Sequence, residues 1–264
     1  MRVLAAADAL RIVSKIGTGL DNIDLEAATD LSVSVTYTPG SNAATVAEYT
    51  VGLVLAVSRD LVVNHDLLRE GGWRDKIGLS TSIRGKTIGI VGFGDIGSRV
   101  AAFLSGFNVK VLAYDPCVYT EDTDVTGAKL TPLDSLLRRS DVVTLNTELT
   151  DETRGLIRAD ELKRMKDSAI FINTARGPIV SESALIDALE ADEIAGAGLD
   201  VFETGPLPVT STLHEFENVI ATPHIGATTR ESRVRSIETL IESVFAFLNG
   251  EPVADRYVTG EGRR

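Results

Sequence analysis

The run Lys86-Thr-Ile-Gly-Ile-Val-Gly-Phe-Gly-Asp-Ile-Gly97 constrains what this chain can fold into more than any other stretch. Thr87 to Val91 is short, apolar and rich in β-branched residues, which reads as a buried strand. It enters Gly92-x-Gly94-x-x-Gly97 and then an apolar-periodic helix over Ile96 to Phe107. A second apolar run, Val109 to Tyr114, ends at Asp115. Strand, glycine turn, helix, strand and acid within about thirty residues form the dinucleotide-binding fingerprint in its structural context. Gly92 permits the tight turn, Gly94 lets the backbone approach a pyrophosphate, and Gly97 lets helix and strand pack closely. Asp95 and Ile96 open the helix, whose free amides and positive dipole end suit phosphates. Asp115 lies 18 residues after Gly97, where a carboxylate takes both ribose hydroxyls and repels a 2′-phosphate. No Arg follows Asp115 directly, so NAD is expected rather than NADP. The competing reading keeps these glycines for packing an α/β core alone.

With 264 residues the chain has room for one large domain or two small ones. No apolar run approaches the roughly 20 residues of a membrane span. Asp8 interrupts the N-terminal stretch where a signal peptide would continue its apolar core, so no export signal is expected. The single cysteine, Cys117, permits no internal disulfide, which suits a reducing cytoplasm. A net charge of −12 repels polyanions, so nucleic acid is not an expected partner. Only seven of the 26 basic residues are Lys. The acidity fits either a salt-adapted cytoplasmic protein or an ordinary acidic enzyme.

Strands alternate with helical patterns almost throughout, which predicts α/β architecture, a Rossmann-type doubly wound parallel sheet. Strands are expected at Arg11–Ile16, Ser32–Tyr37, Asp141–Leu145, Ala169–Asn173, Ile194–Leu199 and Val219–Ala221. Helices are expected at Asp24–Thr29, Asn42–Val57, Leu61–Glu70, Asp134–Arg139, Asp160–Met165, Ser181–Glu190 and Arg230–Leu248. The residues from Thr259 read as a loose tail. Boundaries near Pro39-Gly40 and Pro223-His224 separate a nucleotide-binding domain, 41–223, from a second lobe built of both chain ends, 1–40 with 224–264. A cleft between two such lobes is where a substrate is expected.

Few residues are suited to acid–base chemistry. Of the three histidines, His65 lies in a helical pattern and His214 in an expected exposed turn. His224 follows Val219–Ala221, and a titratable group just past a sheet strand is well placed for proton transfer, although a structural role competes. Arg176 follows the strand ending at Asn173; it could grip a carboxylate in a bidentate pair or form a surface salt bridge. Asp200 ends another strand and could hydrogen-bond a carboxamide or cap a turn. Gly17 and Gly19 form a glycine turn whose amides suit a carboxylate. No metal is expected.

Taken in order, Ile16-Gly-Thr-Gly-Leu-Asp-Asn-Ile-Asp24, Thr38-Pro-Gly-Ser-Asn42 with Val46-Ala-Glu48, Gly71-Gly-Trp73, the fingerprint, Asn173-Thr-Ala-Arg-Gly177, Leu199-Asp-Val-Phe202 and Thr222-Pro-His-Ile-Gly226 resemble the D-isomer-specific 2-hydroxyacid dehydrogenases, nearest their 3-phosphoglycerate dehydrogenase branch. The resemblance runs from about Leu10 to Leu248. It implies an NAD-dependent oxidoreductase that passes a hydride between nicotinamide and a small 2-hydroxy or 2-oxo acid. It also implies roles. Arg176 holds the substrate's carboxylate and carbonyl oxygen, and His224 exchanges the hydroxyl proton. Amides around Thr18 and Gly19 help hold the carboxylate, and Thr174, Ala175 and Asp200 line the nicotinamide. A homodimer through the NAD-binding domain follows, with contact expected over the Asn42–Glu70 helices.

Two departures from the family pattern matter. The family usually carries a Glu five residues after the Asp of Asp-Val-Phe, which orients the histidine and favours its protonated form; here Gly205 stands there. Glu203 is nearby, but an extended chain sends its side chain elsewhere. Family members also begin some fifty residues earlier, so the substrate lobe reads as incomplete, with an open edge beside the strands near 12 and 33. These departures predict weakened turnover. They motivate the alternative of an NAD(H)-binding sensor resembling the family's corepressors.

Overall fold

The structure, a computed structural model, describes residues 2–118, 127–251, 253 and 258–259. The chain forms two compact units, Met1–Thr45 with Ala227–Arg264, and Val46–Gly226. It begins with the short helix α1 (Arg2–Ala5), strand β1 (Ile12–Lys15), helix α2 (Leu25–Asp30) and strand β2 (Ser34–Tyr37). The Asp24 carboxylate caps α2 by accepting the Ala27 amide at 3.0 Å, satisfying one of the donors a helix start leaves open. Ala27 and Ala28 of α2 are buried. The two strands run parallel, with Ile12 beside Ser34 and Lys15 beside Tyr37.

Helix α3 (Ala43–Ser58) spans the division between the units, and α4 (Leu61–Arg69) follows. The second unit then alternates β3 (Thr87–Val91), α5 (Asp95–Leu104), β4 (Lys110–Tyr114), β5 (Lys129–Leu130), α6 (Leu133–Arg139), β6 (Val142–Leu145), α7 (Ala159–Leu162), β7 (Ile170–Asn173), α8 (Glu182–Glu190), β8 (Gly196–Leu199) and β9 (Val219–Ala221). These strands make one parallel sheet in the order β5-β4-β3-β6-β7-β8-β9. Alternate strand residues serve opposite faces. Ile88, Ile90, Ile170 and Ile172 pack with Val54, Val57, Val100 and Leu104 of α3 and α5. Phe171, Val143 and Leu145 pack with Leu136, Leu162 and Leu185 of α6, α7 and α8. Apolar residues on both strand faces are what a sheet covered on both sides requires.

The expected elements of this unit are present with small shifts at their ends. The helix expected to reach Phe107 instead ends at Leu104 and tightens into a 3₁₀ turn over Ser105–Phe107. Asn108 then takes a left-handed conformation, φ 54°, which stops the helix. Strand β5 has only two residues, too few to carry a readable periodicity. Ser181 caps α8, its hydroxyl accepting the Ala184 amide at 3.4 Å.

The chain closes with α9 (Arg230–Asn249) and β10 (Val258–Thr259). Thr229 caps α9 by accepting the Ser232 amide at 3.1 Å, and Gly250 ends it in the left-handed region. β10 corrects one expectation and part of a second. Thr259 is not tail: it pairs antiparallel with Val35. β2 therefore has a neighbour on both sides, in the order β1-β2-β10, while among the described residues β1 keeps the open edge expected of this sheet. Backbone pairing between segments this far apart leaves no local pattern in the sequence. Residues 260–264 lie outside the described part.

Candidate active site at the carboxyl edge of the parallel sheet

From β3 the chain proceeds to β4 and β5 on one side, then returns to place β6 on the other side of β3. The crevice where the direction of winding reverses is the general ligand site of such sheets. The glycine turn lies there. Gly92 has φ +89°, and a Cβ on it would lie 2.6 Å from the Thr147 amide nitrogen beyond β6. A Cβ on Gly97 would lie 2.1 Å from the Gly92 carbonyl oxygen. A Cβ on Gly94 would meet nothing within 4 Å, so open space borders the first turn of α5. Asp95 and Ile96 form that turn.

Asp115, at the end of β4, faces the same turn. Its Oδ2 accepts the Phe93 amide at 2.8 Å, and its Oδ1 accepts the Cys117 amide at 2.8 Å. At the end of β6, Asn146 Oδ1 is the one buried side-chain polar atom among the described residues with no hydrogen-bond partner. A helix N-terminus with open space, a carboxylate across the turn and an unused acceptor fit a dinucleotide's phosphates and ribose hydroxyls.

β7 leads into Asn173–Gly177. The Asn173 side chain ties this turn together, accepting the Ala175 amide at 3.0 Å and donating to the Arg176 carbonyl at 3.1 Å. Thr174 is buried, its hydroxyl 2.7 Å from that of Thr50 on α3, which also donates to the Val46 carbonyl at 2.8 Å. Ala175 is buried. The Arg176 side chain is part-buried and donates to the Ala175 carbonyl at 2.8 Å.

Asp200 directly follows β8 and is only 1% exposed. Its Oδ1 accepts the Thr222 hydroxyl at 2.7 Å and the Ile225 amide at 2.9 Å, and its Oδ2 accepts the Gly226 amide at 2.8 Å. The Asp200 carboxylate thus caps the turn that follows β9. His224 lies inside the capped loop, exposed, with φ 55°. Burial raises the pKa of Tyr49 on α3; its hydrogen bond with Thr222 opposes that shift and the Asp200 charge adds to it.

Arg176, His224, Thr174, Ala175, Asp200, Asp115 and the glycine turn therefore follow strand ends at one edge of one sheet. Thr18 and Gly19 belong to the other unit, just after β1. There Gly17 donates its amide to the Thr38 hydroxyl at 2.8 Å, and the Thr18 hydroxyl lies 3.4 Å from Asn42 Oδ1. His65, His214 and Cys117 are exposed. The Glu203 carboxylate accepts the Glu182 amide at 3.4 Å, and Glu182 reciprocates on the Glu203 amide at 3.0 Å. Asn146 matches no motif, although the strand-end rule that points to Arg176 and His224 points to it as well. Thr50 and Tyr49 carry no sequence signal, and Thr222 carries one only as part of Thr222-Pro-His-Ile-Gly226, since the partners of all three are distant in the chain.

Comparison with known proteins agrees with this geometry. Residues 51–226 match the family model described as D-isomer specific 2-hydroxyacid dehydrogenase, NAD binding domain. The chain is 44% identical over 255 residues to the glyoxylate reductase of Thermofilum pendens, covering 94% of this chain and 75% of that one. It is 39% identical over 251 residues to the D-3-phosphoglycerate dehydrogenase of Archaeoglobus fulgidus, covering 95% of this chain and 48% of that one. The chain thus spans three-quarters of the one relative and about half of the other. The crystal structure of D-lactate dehydrogenase from Aquifex aeolicus complexed with NAD and lactic acid superposes with a TM-score of 0.86 at 33% identity, covering 95% of this chain and 80% of that one. These relatives bear enzyme names, which does not favour a sensor without turnover. Among the described residues no helix is long and apolar enough to cross a membrane. With the matched NAD-binding domain and a fingerprint whose geometry suits it, the chain belongs to the D-isomer-specific 2-hydroxyacid dehydrogenases, NAD-dependent oxidoreductases of small 2-hydroxy and 2-oxo acids.

Proposed function

We propose that this chain reduces a small 2-oxo acid with NADH, using Arg176 and His224. The observation that carries the reading is that both residues follow strands of the same parallel sheet as β3, which ends in the glycine turn. Bound NADH supplies the hydride. Gly92, Gly94, Asp95, Ile96 and Gly97 bind the pyrophosphate, Asp115 the ribose hydroxyls, and Thr174, Ala175 and Asp200 flank the nicotinamide. Arg176 holds the carboxylate and polarises the 2-oxo group, whose oxygen gains negative charge as the hydride arrives. His224 delivers the proton to that oxygen, and in the reverse direction removes it. In this reading Val46–Gly226 is the NAD-binding domain and the other unit the substrate lobe.

Two further parts of the reading concern the surroundings. Helix α4 buries none of its residues, and Leu61, Val62, Leu68 and Trp73 are exposed. An apolar surface of this kind supports a homodimer formed through the NAD-binding domain. The −12 net charge supports a cytoplasmic, salt-adapted protein, stabilised rather than destabilised by molar salt.

The test follows NADH absorbance with pyruvate, glyoxylate, hydroxypyruvate and 2-oxoglutarate, at low and high salt. Consumption with one of them is expected and identifies the acid. NADH binding with no consumption across the panel refutes the reading.

A further inference from the structure

The bond pattern around Asp200 has a direction. All three donors to its carboxylate come from the loop that carries His224: the Thr222 hydroxyl before it, and the Ile225 and Gly226 amides after it. The histidine's own amide donates to the Thr222 carbonyl at 2.9 Å, closing a tight turn over Pro223. His224 sits at φ 55° inside this turn. A non-glycine residue in the left-handed region costs on the order of 1 kcal/mol and persists where its surroundings over-determine it. One buried carboxylate, fastened to the loop on both sides of His224, does that. The loop is also fitted to the carboxylate: a Cβ on Gly226 would lie 3.0 Å from Asp200 Oδ2 and 3.3 Å from the Tyr49 ring.

The chain has a reason to hold this histidine by its backbone. Gly205 offers no side chain, and the Glu203 carboxylate is engaged with the Glu182 amide. No described side chain hydrogen-bonds the His224 ring.

We propose that Asp200 is the positioning residue of His224, setting the ring's approach to substrate through Thr222 and the Ile225 and Gly226 amides. The inference rests on the proposed role of His224 as proton donor. It goes beyond that role, and beyond contact with the nicotinamide, by naming what holds the histidine in place.

Thr222→Val and Thr222→Ser separate positioning from bulk stability. The first removes the hydroxyl donated to Asp200 at constant volume; the second keeps it. In Thr222→Val, kcat is expected to fall by about 10- to 100-fold, the scale of a misplaced reacting group, with the NADH Kd changed less than about twofold. Thr222→Ser is expected to stay near the parent rate. The chain has only three histidines, so each imidazole resonance can be assigned with His→Asn variants. The His224 resonance should move or broaden in Thr222→Val alone, while those of His65 and His214 stay in place. A parent-like kcat with an unmoved His224 resonance in Thr222→Val overturns the proposal. So does equal loss in both variants with all three resonances disturbed, which marks general loosening of the fold. If the parent chain reduces no 2-oxo acid, the dehydrogenase reading fails, and the resonances alone still decide whether Asp200 positions the ring.

Discussion

The Phe93 amide donates to Asp115 Oδ2 across 22 residues of sequence, at 2.8 Å. This one bond ties the glycine turn after β3 to the end of β4. In the proposed reading the same carboxylate takes the ribose hydroxyls.

Asp115→Ala should therefore act twice. Loss of a charge-assisted partner, worth about 1.5–3 kcal/mol, should weaken NADH binding by at least tenfold. Removing the charge should also narrow the preference for NADH over NADPH. Fluorescence titration with both nucleotides reads each effect, and an unchanged preference would place the ribose elsewhere.

Gly94 and Gly97 should separate binding from folding. In Gly97→Ala the new methyl meets the Gly92 carbonyl oxygen at 2.1 Å, which calls for backbone movement and about 1–3 kcal/mol of lost stability. In Gly94→Ala the methyl meets no protein atom, so the melting temperature should hold while NADH affinity drops. Thermal melts of both variants, with and without NADH, check the contrast.

Arg176→Ala and His224→Asn should each retain NADH binding and lose reduction of the 2-oxo acid. A lost general acid typically costs about 10²–10⁴ in rate. Removal of Arg176 should raise KM as well as lower kcat, since the residue is proposed both to hold the carboxylate in the ground state and to stabilise charge on the 2-oxo oxygen that develops only in the transition state. Wild-type rates in both variants would remove these residues from the mechanism.

Stability should carry an acid-limb signature at Asp141. Burial acts to raise its pKa, but the hydrogen bonds from the Thr87 amide and Lys166, with the charges of Lys166 and Lys86, outweigh burial and lower it. A carboxyl depressed in the folded state stabilises above its unfolded pKa, and that contribution disappears as pH falls through the folded value. Asp141→Asn should thus melt about 2–4 °C lower at pH 7, for a loss near 1 kcal/mol. The difference should close below about pH 4. Melting curves across that range give the answer.

The proposed dimer can be read through the chain's single tryptophan. Trp73 is 65% exposed. If its surface is buried between two copies, tryptophan emission should shift to the red on dilution, as the sedimentation coefficient falls to that of a monomer. Leu68→Glu should produce the monomer at every concentration, whereas an unaltered dimer would move the contact away from α4.

Local pattern was enough to identify the parallel sheet and the nucleotide crevice. Strand periodicity, the glycine spacing and the acid at Asp115 all act within about thirty residues, where covalent geometry alone restricts the outcome. The strand-end rule also selected Arg176 and His224. Other features arise from contacts between segments remote in sequence, and tertiary structure alone decided them. β10 covers the edge of β2 from more than 200 residues away. Thr174 finds Thr50 across 124 positions. Asp200 spends its carboxylate on a loop 22 to 26 residues on, because a buried carboxylate must be hydrogen-bonded and that loop alone supplies its three donors. Composition and spacing name the groups that can do chemistry, and packing determines which of them are held and by what.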